Sequence, residues 1–285
     1  MHSLRQVPVL SDGPLRVESQ KDRGCITVLL EAALECVLTA ARARLHEIRI
    51  PSTNMTTTST SSLDRPVWAS LTHAPHLAEG NDLAKRFRRD VNVFASACDD
   101  SPHSLAALGT LVGQNDAVYL LRVPKICIPE ALVAVREAEG VQLVAVQPIE
   151  PERGAETIVE LGDADAAEML ALASLTEPGP FLQRTHTMGR FIGIRIDGRL
   201  AAMAGERMRF PGFTEVSGVC THPDYRGRGF ARGLSSVVAN RIQQRGDRAF
   251  LHAWTSNIAA IALYETLGFA QRASVQVAIL KRRTG

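Results

Sequence analysis

Hydrophobic residues repeat at helical spacing most clearly in the second half of the chain. Phe230, Leu234, Val238 and Ile242 recur every four residues, which places them on one face of a helix. Gly246 follows at the kind of position where helices commonly end. We therefore predict an amphipathic helix whose apolar stripe packs on a sheet.

Further alternating elements surround this helix and predict an α/β domain over residues 156–285. The segments Phe191–Ile196 and 199–208 are joined by Asp197-Gly198, a dipeptide typical of a tight hairpin turn. The other predicted elements are strands over residues 157–161, Phe213–Thr221, 249–254 and 275–280, a helix capped by Asp163 that ends near Ser174, and a helix over residues 258–267.

A shorter block of alternating elements precedes this domain. The predicted elements are a helix over residues 104–112, a strand over 117–123, a helix over 129–138 that is closed by Gly140, and a buried strand over 141–146. They predict a smaller α/β region over residues 64–147. A linker containing proline and glycine, residues 147–155, joins it to the larger domain.

The first 63 residues have a different character. Residues 51–62 are mostly Ser and Thr, and such a segment buries too little apolar surface to offset its ordering entropy. We expect residues 1–63 to be a disordered or non-native extension, and one hypothesis is that translation begins at Met55. The apolar segment 25–41 is interrupted by Glu31 and Glu35, so we expect an amphipathic helix there and no membrane span.

Composition and charge narrow the function classes. The formal net charge of +2 at pH 7 is too small to indicate nucleic acid or an acidic membrane as a partner. The five cysteines have no paired spacing, which favours free thiols in a reducing, cytoplasmic compartment. The eight histidines form no metal-binding motif, so we expect no metal.

The strongest candidate site is the glycine-rich turn before the amphipathic helix. Gly227 and Gly229 alternate there with Arg226 and Arg228. Backbone N–H groups at a helix N-terminus have no intrahelical acceptor, and the helix dipole favours negative charge at that end. The turn therefore predicts a phosphate site. A dinucleotide fingerprint would need glycine in place of Arg232, and the Gly-Lys-Ser/Thr of a P-loop is lacking.

Two motifs stand in order here, separated by a predicted helix and strand. Arg226, Gly229 and Ala231 fit R-x-x-G-x-A, and residues 257–269 fit N-x-x-A-x-x-x-Y-x-x-x-G-F. Together they resemble the pyrophosphate loop and the second cofactor segment of the GNAT superfamily of acyl-CoA-dependent N-acyltransferases. The spelling E-x-S-G-V-x-T-H-P over residues 215–223 is similar to that of bacterial members.

The resemblance implies a GNAT fold for the larger domain, with a mixed, splayed central sheet flanked by helices. The smaller α/β region is then a candidate degenerate GNAT-like half. Gly218 lies inside a strand, where glycine indicates a bulge that would open the sheet; a bent strand is the alternative.

The resemblance also implies acetyl-CoA as the acyl donor, held by the turn, by strand backbone and by Asn257, which could instead be a helix cap. The cofactor-binding residues that it implies are Val219, Cys220, Thr221, Arg226, Gly227, Arg228, Gly229, Phe230, Ala231, Asn257 and Tyr264.

Acyl transfer to an amine needs a proton donor for the leaving thiolate and a base for the amine. The resemblance assigns the first role to Tyr264, for which plain packing is the alternative. For the base we rank Glu215 first and Glu206 on the neighbouring strand second, with solvated strand residues as the alternative for both. His252 is a weaker candidate because it lies in a short, buried strand.

We therefore predict an N-acetyltransferase that transfers acetyl directly from acetyl-CoA to an amine of a small molecule or peptide. The alternative is a non-catalytic module that binds acyl-CoA. Residues 178–189, which contain Arg184 and His186, are expected to line the acceptor entrance. We expect a monomer or a homodimer.

Overall fold

The computed structural model describes residues 61–152 and 156–283, which belong to one compact unit. The hypothesis on Met55, residues 1–60 of the predicted extension and the helix predicted over residues 25–41 lie outside the described residues. The end of that predicted extension is described. Ser61–Asp64 forms the short helix α1, and Leu63 is buried in the core. The boundary predicted at residue 63 therefore falls inside a helix.

An eight-stranded mixed sheet forms the centre of the fold. The strands of the described residues are β1 Ala78–Gly80, β2 Ala84–Phe87, β3 Ala95–Ala97, β4 Ala117–Arg122, β5 Leu132–Ala145, β6 Ile158–Leu161, β7 Phe191–Ile196, β8 Arg199–Phe210, β9 Phe213–Thr221, β10 Arg248–Trp254 and β11 Phe269–Arg282. The order in the large sheet is β4-β11-β5-β10-β9-β8-β7-β6, and β1, β2 and β3 form a small sheet of their own. Only β9 and β10 are parallel neighbours in the described large sheet.

Helices cover both faces of the large sheet, which confirms the predicted mixed α/β class. After α1 come α2 Pro66–His73, α3 Pro102–Leu111, α4 Ala166–Thr176, α5 Phe230–Gln244 and α6 Ile258–Thr266. Ala202 and Ala204 of β8 pack in the core with α5, whereas Met203 packs in the core with α4. Since neighbouring residues of a strand point to opposite faces, α4 and α5 lie on opposite sides.

The local signals of the second half are confirmed. The four residues of the α5 stripe are buried and pack in one cluster with Val216 and Leu251. Asp197 and Gly198 have φ angles of 50° and 79°, as a two-residue turn with both central residues in the left-handed region requires. None of the described helices is both long and apolar enough to cross a membrane.

The helix predicted over residues 129–138 is wrong. Residues 132–145 form the long strand β5, which pairs along its length with β11. Pro129 in the first turn and Gly140 after the last turn suggested the helix, but pairing on a sheet overrides such local signals. Gly140 is no helix stop: a Cβ there would stand 2.8 Å from the carbonyl oxygen of Ala253, so glycine permits β10 to approach.

The two predicted regions share one sheet. Strands β4 and β5 come from the smaller region and pair with β10 and β11 of the larger domain. The segment predicted as a linker packs along α5, because Ile149 is buried and its N–H donates to the side chain of Gln243 at 2.8 Å. The predicted boundary at residue 147 therefore lies between strands of a continuous sheet.

Asp163 does not cap the following helix. It begins a 3₁₀ turn, Asp163–Asp165, and α4 begins at Ala166. The carboxylate of Asp163 instead accepts a hydrogen bond from the ring of His186, with Oδ1 and Nε2 2.7 Å apart. The last strand is also longer than predicted, since β11 begins at Phe269.

Candidate active site

Strands β9 and β10 separate in the middle of the sheet. Their parallel pairing begins at Phe213 and Arg248 and ends at Glu215 and Phe250. Beyond that point, residues of both strands line a cavity of about 720 Å³. The sheet is thus splayed at the place where the sequence predicted an opening.

Gly218 forms the predicted bulge on β9. The pairing register with β8 shifts between the pair of Gly205 with Ser217 and the pair of Met203 with Cys220, so β9 carries one extra residue there. Gly218 has a φ angle of 63°, and a Cβ at this position would stand 2.9 Å from Cε1 of Phe191. Both the backbone angle and the close ring therefore require glycine.

The glycine-rich turn lies at one end of the cavity, between β9 and α5. Gly227 and Gly229 have φ angles of 78° and 77°, and no described atom lies within 4 Å of where their Cβ atoms would stand. Gly229 is the N-cap of α5, so the first N–H groups of this helix have no intrahelical acceptor. Thr221 also lines the cavity, and its buried hydroxyl has no hydrogen-bond partner among the described residues.

The arginines in and just after the turn differ in whether a carboxylate already pairs with them. Arg228 forms an ion pair with Glu156 at 2.8 Å, and Arg232 forms one with Glu152 at 2.7 Å. Arg226 is exposed and has no ion pair with any residue that the structure describes. Its guanidinium is therefore available to a phosphate without displacing a carboxylate.

Tyr264 on α6 lines the same cavity and is nearly fully buried. Burial raises the pKa of its phenol to about 12, while an interaction with Ser235 acts in the opposite direction. The phenol is thus protonated at neutral pH. Burial also raises the pKa of the Cys220 thiol to about 11, which leaves Cys220 a poor nucleophile.

Arg207, Glu215 and His252 form a buried cluster beside the end of the strand pairing. Arg207 donates from Nε and Nη2 to the two carboxylate oxygens of Glu215, at 2.8 and 2.7 Å. His252 Nδ1 lies 2.7 Å from Oε1 of Glu215. The amide of Gln142 lies 3.1 Å from His252 Nε2 and also donates to a backbone carbonyl, so we assign the ring hydrogen to Nδ1. Burial opposes ionisation of Glu215, but Arg207 and His252 hold its pKa down to about 2.

The first half of the chain also contributes to the cavity wall. Phe94, Tyr119 and Leu121, from the region that the sequence analysis left without a functional role, line it together with Arg207 and Trp254. No local motif marks these residues. They reach the site because β4 joins the sheet beside β11.

Comparison with known proteins identifies the family. A family model described as FR47-like protein matches residues 191–277. A solved structure of a protein from Novosphingobium aromaticivorans, assigned to the GNAT family of acetyltransferases, is 42% identical to this chain. The match covers 78% of this chain and 99% of the other, with a TM-score of 0.73.

The chain belongs to the GNAT family.

Two more distant GNAT structures share the fold. A GCN5-related N-acetyltransferase from Kribbella flavida is 19% identical, covers 78% of this chain and 96% of its own, and has a TM-score of 0.54. A GCN5-related N-acetyltransferase-like protein from Streptococcus suis is 14% identical, covers 79% of this chain and 97% of its own, and has a TM-score of 0.51. A search of curated protein sequences gave no match.

In this GNAT protein the cavity brings together all the residues that the motifs predicted to bind the donor. They are Val219, Cys220, Thr221, Arg226, Gly227, Arg228, Gly229, Phe230, Ala231, Asn257 and Tyr264. Asn257 is also the N-cap of α6, where its side chain accepts from the N–H of Ala260 at 3.2 Å. No described group of three His, Cys, Asp or Glu side chains is arranged to hold a metal ion.

Other sequence-predicted residues of this GNAT protein lie elsewhere. Glu206 and Glu215 do not line the cavity; Glu206 pairs with Arg245 at 2.8 Å, and Glu215 lies behind Arg207 and His252. Arg184 and His186 of the predicted entrance loop are also absent from the wall, whereas residues 178–180 at its start line it. The carboxylate that the sequence analysis missed is Glu177.

Proposed function

We propose that the protein transfers an acetyl group from acetyl-CoA to the amine of a small molecule or peptide. The observation that carries this proposal is one cavity that is lined by the glycine-rich turn, by the splayed strands and by Tyr264. A donor with phosphates at one end and a reactive thioester at the other fits such a cavity. The free thiols of Cys98, Cys127 and Cys220 and the bacterial spelling of residues 215–223 support a cytoplasmic enzyme of the bacterial type.

The residues of the turn fit the phosphates of coenzyme A. The N–H groups at the start of α5 would bind an anion, and the absence of Cβ atoms at Gly227 and Gly229 leaves room for it. Arg226 would add charge. The backbone of Val219 and Thr221, beyond the bulge, would pair with the amides of the pantetheine arm as an added strand does, and Thr221 has a free hydroxyl there.

Acetyl-CoA supplies a thioester whose carbonyl carbon is attacked by the neutral amine. We assign to Tyr264 the hydrogen bond to the departing sulfur. Since its pKa of about 12 is above that of an ordinary thiol, this phenol would stabilise the thiolate mainly as a hydrogen-bond donor. Orientation of the amine within the cavity would supply much of the remaining rate.

For the base that accepts the proton of the amine, we propose Glu177. It is the one carboxylate among the described residues that lines the cavity. Glu177 is the C-cap of α4 and has a φ angle of 49°, a left-handed conformation that costs energy for a residue other than glycine. Glu215 is less suited, because its carboxylate is fully used by Arg207, His252 and the N–H of Met208.

Two measurements on the full chain test this function. Calorimetry with acetyl-CoA measures donor binding, and release of free thiol in the presence of amines and peptides measures transfer, with the N-acetyl product identified by mass spectrometry. We expect binding together with amine-dependent thiol release. Binding without release to any acceptor would favour the non-catalytic acyl-CoA-binding module, and a folded protein that does not bind acetyl-CoA would refute both.

A further inference from the structure

The cavity has two ends with different surroundings. At the donor end, Tyr264 and Phe230 belong to the core cluster under α5. At the other end, Phe94, Leu121 and Val277 belong to a separate cluster, and Tyr119 packs against it. We call this second end, together with Arg207 and Trp254, the acceptor chamber.

One guanidinium nitrogen of Arg207, Nη1, has no hydrogen-bond partner among the described residues and belongs to a side chain in the acceptor chamber. This side chain is only 8% exposed, and Nε and Nη2 are both bound to Glu215. A hydrogen bond from a charged donor contributes more to binding than one from a neutral donor. Nη1 therefore indicates an oxygen atom on the ligand.

The remaining wall of the acceptor chamber is apolar and aromatic. Phe94, Leu121 and Val277 are 2%, 7% and 6% exposed. Phe94 and Tyr119 meet edge to face with ring centroids 6.1 Å apart, and the guanidinium of Arg207 lies 5.0 Å from the centre of the Phe94 ring. Trp254 is 41% exposed and offers a ring at the mouth. Such a wall favours an aromatic ring over a chain of polar groups.

We propose that the acceptor is a primary amine that carries an aromatic body and a carbonyl oxygen, either of a carboxylate or of an amide, which binds Nη1 of Arg207. This proposal rests on the proposed function. A polycationic amine would need several carboxylates in the wall, and within the described part of the chain Glu177 alone lines it. The Arg207–Glu215 pair is neutral as a unit, so it can serve either kind of carbonyl.

The test measures binding of four amines to the full chain loaded with coenzyme A, by calorimetry. The probes are phenylalaninamide, phenylalanine, 2-phenylethylamine, which lacks the carbonyl, and alaninamide, which lacks the ring. We expect 2-phenylethylamine to bind at least about tenfold more weakly than the better of the first two, because it loses one hydrogen bond to a charged group. Alaninamide should also bind at least about tenfold more weakly, because it loses the burial of the aromatic ring. The comparison of phenylalanine with its amide identifies the kind of carbonyl.

Two variants locate the effect. Arg207→Lys keeps a positive charge beside Glu215 but removes the Nη1 group that would bind the carbonyl. The ratio of affinities for amines with and without a carbonyl should therefore fall to less than about threefold. Trp254→Ala should weaken phenylalaninamide several-fold and leave alaninamide unchanged, whereas Leu83→Ala, at a residue 42% exposed outside the cavity wall, should change neither.

The outcomes separate this proposal from the function on which it rests. If coenzyme A binds but the amines are not discriminated, or none of them binds, the acceptor proposal is overturned while the donor site stands. A carbonyl preference that survives in folded Arg207→Lys also overturns it. If coenzyme A itself does not bind to the folded chain, the proposed function fails, and this proposal fails with it.

Discussion

Glu215 and Phe250 are the last residues through which β9 pairs with β10. The ring of Phe250 packs in the core below the splay, and Glu215 beside it anchors Arg207 and His252, which line the cavity. The point at which the sheet opens is therefore also the point at which a buried charge orients two cavity residues. Glu215 itself does not line the cavity; it orients Arg207 and His252, which do.

The Arg207–Glu215 pair should show strong coupling in stability. Glu215→Gln leaves Arg207 as an uncompensated buried charge, so we expect it to lose roughly 3–5 kcal/mol of unfolding free energy. The double variant Arg207→Met, Glu215→Gln removes both charges and keeps an acceptor for His252, so it should lose much less. Urea denaturation at pH 7 measures both. Equal losses in the single and double variants would contradict the coupling.

The ion pair of Arg207 and Glu215 should also make the free energy of unfolding depend on pH under acidic conditions. The pKa of Glu215 is about 2 in the folded protein and 4.5 ordinarily, so folding favours the ionised form. Its contribution is fully present above about pH 4.5 and is lost as pH falls from there to about 2. The stability of the double variant should therefore fall less steeply over this interval than that of the wild type.

Gly229→Val should weaken coenzyme A binding by at least about tenfold, because a side chain would crowd the N–H groups at the start of α5. Gly246 offers a matched control. It follows the other end of α5 with a φ angle of 87° and has no described atom near its Cβ position. Both variants should lose similar stability, measured by thermal denaturation, but only Gly229→Val should lose affinity in calorimetry. Equal coenzyme A affinities would argue against the turn as the phosphate site.

Tyr264→Phe removes one hydroxyl and should lower kcat roughly 10²-fold with little change in coenzyme A affinity. Because the pKa of Tyr264 is about 12, its titration should leave no mark on the rate profile between about pH 6 and pH 10. Tyr225→Phe, at a tyrosine that lines the cavity near the turn, is the control and should retain most of kcat. Full activity of Tyr264→Phe would exclude a role for its hydroxyl in stabilising the thiolate, which water would then solvate.

Glu177 can be tested with a pair of variants that separate its charge from its backbone angle. Glu177→Gln keeps the left-handed strain and Glu177→Gly relieves it, so the glycine variant should be as stable as the wild type or up to about 1 kcal/mol more stable. If the carboxylate accepts the proton of the amine, both should lower kcat/KM about 10²-fold below pH 8. Retained activity in either folded variant would exclude this role.

The sequence by itself determined the features that depend on neighbours in the chain. The Asp197-Gly198 turn, the apolar stripe of α5 and the glycine pattern of the phosphate turn each require a particular backbone angle or periodicity within a few residues. The Gly218 bulge could also be predicted from the local sequence, because glycine weakens a strand and usually marks a bulge or a close approach when it lies inside one.

Tertiary structure decided the features that depend on distant partners. Residues 132–138 have side chains suited to a helix, and β11, more than 130 residues later, makes them a strand. The position of Glu215 on β9 suggested that its side chain faces the cavity. A register shift on β8 instead brings Arg207 against Glu215, whose carboxylate then holds the arginine in place. Phe94 and Tyr119 reach the cavity through the position of β4 in the sheet. Strand pairing and burial are set by the whole fold, so no local pattern could have assigned these roles.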